Sequence, residues 1–139
     1  MKQLWTTCYA RAGKMPHDWL KVQTSNVAPK WWQPANRTFL PDLAPEAMRK
    51  VWAGAKMTDG EFDADYIRQL NRLLRSGKLR QMIDGLPENA VFLCYEADCA
   101  DCHRSTLAQF INQNGLAQVD EWVSKPKEKP EGMAQPCLL

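Results

Sequence analysis

Residues 94–104 read CYEADCADCHR. Cys94, Cys99 and Cys102, of five cysteines in the chain, stand in this stretch with His103, one of its two histidines. Thiol, imidazole and carboxylate are the side chains that act as nucleophile and proton carrier when their surroundings tune them. Glu96 and His103 are therefore candidate acid/base groups, and Cys102 is a candidate nucleophile. Arg104 is a candidate ligand for phosphate or carboxylate, which a guanidinium grips through a two-pronged fork. The Cys-to-Arg spacing of the protein-tyrosine-phosphatase loop is not met. Cys99 leaves four residues before Arg104 and Cys94 leaves nine.

Cys94, Cys99, Cys102 and His103 are also four ligands of the kind that tetrahedral zinc takes. Cys102 and His103 are adjacent, and neighbours on a helix point apart, so no metal ligand is assigned. Zinc or an iron–sulfur cluster is kept as the cofactor alternative, beside a Cys99–Cys102 redox pair. The bland alternative is that Asp101 or Cys102 caps a helix and Arg104 pairs with Glu96 or Asp101. Cys94 is then a small buried hydrophobe.

Position decides between these readings. AVFLCYE, residues 90–96, is a continuous apolar run between turn signals, which predicts a strand buried on both faces. A helix is predicted over 103–114, with Leu107, Ala108, Phe110 and Ile111 on its apolar face and Gly115 at its C-terminal cap. AQVDEWV alternates and predicts a last strand. Strand, loop, helix and strand make a parallel βαβ unit. In such sheets ligands sit at the carboxyl ends of the strands, where helix N-termini offer unpaired N–H groups to anions.

Upstream, QLWTTCY (3–9) predicts a first strand, ARAGK a turn, MPHDWL a helical turn and KVQTSN a second strand. Residues 28–45 hold four prolines and the pair Trp31–Trp32, which predicts a long ordered loop. A helix over 45–54 follows, with Pro45 in its first turn. Thr58 and Glu61 have capping-box spacing, and Phe62, Tyr66, Ile67, Leu70, Leu73 and Leu74 share one helical face. Lys78–Ile83 predicts a short helix. The expected fold class is α/β, a small three-layer domain with a mostly parallel sheet over residues 1–123. A Lys/Pro-rich tail, 124–139, is expected to be flexible.

Composition bounds the function. A chain of 139 residues is one domain by size and buries enough surface to need neither metal nor disulfide for its core. A net charge of +2 creates no strong field toward nucleic acid or membrane. The start lacks the apolar run of a signal peptide, and no stretch reaches the roughly 20 apolar residues of a membrane span. The odd cysteine count then points to the cytoplasm and free thiols. The ending QPCLL places Cys137 third from the end, where a prenylation box needs it fourth. His17, beside Pro16 and Asp18, is given no role.

CYEADCADCHRSTLAQFI resembles the Cys-x-Glu, short loop, Cys-His-Arg, helix signature of a bacterial and phage family, the domain-of-unknown-function family numbered four hundred and eighty-eight. VAPKWWQPANRTFLPDLAP and FDADYIRQLNRL are similar to its upstream segments. The resemblance runs from about residue 4 to residue 123 and implies a compact Rossmann-like fold, with no established activity. It marks Lys30, Trp31, Cys94, Glu96, Cys102, His103 and Arg104. Cys99 departs from the pattern.

Three function classes follow. The first is a small enzyme or binding domain for a phosphorylated or nucleotide-like ligand. Arg104 and Cys94 stand at the ligand site, Trp31 and Trp32 stack on a base, and Lys30 adds charge. The second is the zinc or redox site. The third is a non-catalytic phage or mobile-element accessory protein that binds a host protein through the PKWWQP loop, tryptophan being common at hot spots. The expected partner is a small anionic or nucleotide-like molecule, with nucleic acid and a host protein as alternatives and no membrane.

Overall fold

A computed structural model describes residues 1–95 and 103–123. Five strands form one sheet, in the order β3-β2-β4-β1-β5. They are β1 (Gln3–Cys8), β2 (Lys21–Gln23), β3 (Arg37–Phe39), β4 (Val91–Cys94) and β5 (Gln118–Glu121), and every pairing is parallel. β4 is buried at all four positions, as its unbroken apolar run requires in a sheet covered on both faces.

Alternation along the strands sends side chains to two faces. Leu4, Val22, Phe92 and Val119 face one way. There they meet α3 (Asp59–Ser76), α4 (Lys78–Gly85) and α5 (His103–Gln113), through residues such as Tyr66, Leu70, Ile83, Leu107 and Ile111. Val91 and Leu93 face the other way, with Trp5 and Trp19 packed on the same cluster. That face is covered by α1 (Tyr9–Ala12) and by loops carrying Met15 and Trp32. The three-layer α/β class with a parallel sheet is what the sequence predicts.

The helices arise from local signals. At α3 the Thr58 hydroxyl accepts from Glu61 N–H, and the Glu61 carboxylate accepts from Thr58 N–H at 2.8 Å, a reciprocal cap. Gly77 ends α3 at φ 85°, a left-handed conformation that a Cβ would strain.

Three details differ from the sequence expectations. The first helical turn is Tyr9–Ala12, earlier than MPHDWL. Pro45 is the N-cap of α2 (Glu46–Trp52) and stands just outside its first turn. The loop expected over 28–45 contains β3 and a 3-10 turn, Pro41–Leu43. β3 pairs only with β2, at the sheet edge, and this three-residue strand has too few positions to show alternation.

Candidate functional site

The chain leaves the neighbouring strands β2 and β4 in opposite directions. From β2 it goes outward to the edge strand β3; from β4 it crosses β1 to reach β5. Such a divergence opens a crevice at the carboxyl edge of a sheet. The crevice is present. Ser25, Asn26 and Val27 line it after β2, Tyr95 after β4, and His103 at the start of α5. Trp52, at the end of α2, closes it. Its volume is about 80 Å³, enough for one ring or one phosphate-sized group. Arg49 donates to Asn26 Oδ1 at 2.9 Å and so carries a guanidinium beside this wall.

Two contacts with described residues hold His103. Its Nε2 lies 2.9 Å from the Thr24 carbonyl, and its ring meets Tyr66 edge to face at 5.3 Å. A carbonyl only accepts, so Nε2 carries the proton and Nδ1 the lone pair. Burial pushes the imidazole pKa down to about 4; the Thr24 carbonyl opposes this shift and the Arg104 charge adds to it. At neutral pH the ring is uncharged. It has no imidazolium proton to give as an acid.

Arg104 faces inward. It has no exposed surface, and its Nε and Nη2 donate to the two oxygens of Glu121 at 3.0 Å each. Nη1 lies 3.0 Å from Cys94 Sγ. Thr6, which pairs with Glu121 across the strands, donates to the same carboxylate at 2.6 Å, and Arg11 adds a contact at 3.3 Å. The bland alternative for Arg104, an ion pair, is found with Glu121; the partners expected from sequence, Glu96 and Asp101, lie outside the described residues. The sequence holds one signal for this partner. Glu121 follows Val119 by two residues, so strand alternation turns it inward, where a carboxylate requires a cation.

Cys94 is fully buried and disulfide-bonded, whereas Cys8 is free. The expectation of free thiols holds for Cys8 and fails for Cys94. A disulfide sulfur is neither a thiolate nucleophile nor a thiolate metal ligand. Glu96, Cys99, Asp101 and Cys102 lie outside the described residues. Among the described residues no group of three or more His, Cys, Asp or Glu side chains could hold a metal ion.

Trp31 and Trp32 are not in this crevice. They line a separate cleft of about 400 Å³ with Gly13, His17, Lys21 and Asn36. Trp31 is 66% exposed, and Lys30 beside it is exposed too. Trp32 is buried against Tyr9, at 4.9 Å between ring centres. Tyr9 stands between the two regions. Its ring also meets Tyr95 at 5.3 Å, and its hydroxyl shares a hydrogen bond with Ser25 at 2.7 Å. Burial raises the Tyr9 pKa to about 12, so this hydroxyl is neutral. Tyr9, Trp52 and Tyr95 were not signalled by spacing, because three distant segments bring them together.

Compared with known families, residues 26–111 match the model of a domain of unknown function, DUF488. The match includes the end of β4, the start of α5 and the Trp31–Trp32 loop. No curated protein matches the chain, and no solved structure matches it.

Proposed function

On the premise that the chain belongs to the DUF488 family, whose model spans more than half of it, we propose that it binds a small phosphorylated or nucleotide-like molecule at the carboxyl edge of its sheet. One observation carries the reading. At the point where β2 and β4 send the chain apart, aromatic rings, polar groups and a neutral buried imidazole converge on one cleft. Clefts of this composition hold flat ligands by apolar contact and orient them with a few polar groups.

In this reading Tyr95 and Trp52 contact the flat part of the ligand, and the neutral His103 ring forms part of the wall it rests on. Arg49 supplies the cation for the anionic part. Arg104 is a positioning residue, whose fork on Glu121 holds the start of α5 against β5. Glu96 and Cys102 are kept as the proposed general base and nucleophile, should binding lead to chemistry.

The test is thermal stabilisation and calorimetry with adenosine 5′-monophosphate, ribose 5-phosphate and inorganic phosphate. At least one should stabilise the parent, with affinity about tenfold weaker in Trp52→Ala, the usual scale for a lost ring contact. If none of the three shifts the melting temperature, the reading fails. Docking of a host protein is favoured by one feature, the exposure of Val27, Trp52 and Tyr95 around the cleft. Capture of one host protein by the parent and not by Trp52→Ala, without any small-molecule response, would select it.

A further inference from the structure

The cleft lined by Trp31 and Trp32 shares no lining residue with the one at the carboxyl edge. Its volume, about 400 Å³, falls within the range of small-molecule sites. Two of its lining residues carry unmet polar demands.

The first is Lys21, at the start of β2. It is only 4% exposed. Its ammonium donates to two neutral carbonyls, Pro16 O at 2.8 Å and His17 O at 3.3 Å. Among the described residues no carboxylate lies within ion-pair distance of it. Asp18 is exposed and acts on it only from farther away. A buried charge compensated only at a distance is costly, and the lining includes no acidic residue to offset it.

The second is Trp32. It is 8% exposed, and its indole Nε1 is buried with no hydrogen-bond partner. Buried donors are nearly always paired, so a lone one marks the place of an absent acceptor. Trp31 completes the set with a large, mostly exposed aromatic face on the same cleft.

We propose that this cleft is a second ligand site, selective for a planar aromatic ring bearing a carboxylate. Each part of that ligand answers one feature. The ring stacks on Trp31. A carboxylate oxygen accepts from the Trp32 indole, and the negative charge compensates Lys21. Binding is non-covalent and needs no group from the carboxyl-edge crevice.

The probes are nicotinate and its uncharged analogue nicotinamide, and the readout is the Trp32 indole N–H resonance of nitrogen-15-labelled full-length protein. Trp32→Phe identifies the resonance by its disappearance. Nicotinate should move it downfield in a saturable manner and bind more tightly than nicotinamide. Trp31→Ala, a change at an exposed position, should weaken nicotinate about tenfold. Lys21→Met should abolish the preference for nicotinate over nicotinamide. A stationary Trp32 resonance overturns the proposal. So does equal affinity for the two probes, or unchanged nicotinate affinity in Trp31→Ala. The phosphorylated probes report on the other cleft, so failure of either site is seen separately.

Discussion

Arg104 and His103 are neighbours in sequence with opposite electrostatic solutions. Arg104 is buried as a charge and is matched by the Glu121 carboxylate, which also accepts from Thr6 and Arg11. Such a pair adds little net stability, because desolvation offsets attraction, yet losing one member leaves the other uncompensated. Arg104→Ala and Glu121→Ala are each expected to cost about 3–5 kcal/mol in urea unfolding. The double change to Met and Leu should cost less than the sum of the singles. His103 is buried as a neutral ring, with its pKa lowered from 6.5 to about 4. The unfolded chain therefore binds the proton first as pH falls. The contribution of this ring is present above about pH 6.5 and is lost between there and about pH 4. It amounts to at most about 3 kcal/mol, less for the exposure the ring retains at the cleft. His103→Gln should flatten the stability profile across that window, measured as unfolding midpoint against pH.

Elements whose signals are local are legible in this chain, and those whose signals are tertiary are not. α3 carries its own start and stop in Thr58, Glu61 and Gly77, and its apolar face repeats at helical period. Thr58→Ala removes the hydroxyl cap and should cost about 1 kcal/mol, read as a lower melting temperature. Gly77→Ala should cost a similar amount, because φ 85° strains any side chain. β4 and α5 are legible for the same reason, a long apolar run and a long apolar face. β3 has neither. It is a strand because β2 offers it an edge, and three residues between prolines, two of them exposed, could not announce that. α1 is likewise a single turn held in place by Tyr9 and Ala12 packing on the second face of the sheet.

At the scale of the whole molecule, the strand order places the candidate chemistry. With β1 between β4 and β5, the helix that follows β4 must cross β1, and Arg104 at its start comes to face Glu121 on the far strand. The same order parts the chain between β2 and β4 and opens the crevice there. It also leaves the Trp31–Trp32 loop on the other face, so residues grouped together by sequence line two separate clefts. Trp52→Ala should therefore affect the phosphorylated probe alone, and Trp31→Ala the aromatic carboxylate alone, as titrations of each variant with both probes will show.

By itself the sequence determined the class of the molecule. Apolar runs of strand length, helical periodicity and caps specify a parallel α/β sheet, and Cys94 falls at a strand end and His103 at a helix start. Those properties depend on near neighbours along the chain. Tertiary structure alone decided which groups meet: that Arg104 spends its fork on Glu121, that His103 is neutral beneath Tyr66, and that Lys21 and Trp32 share a cleft. Burial and pairing between separate segments set these outcomes, and the one trace of them in the spacing is the strand alternation that turns Glu121 inward.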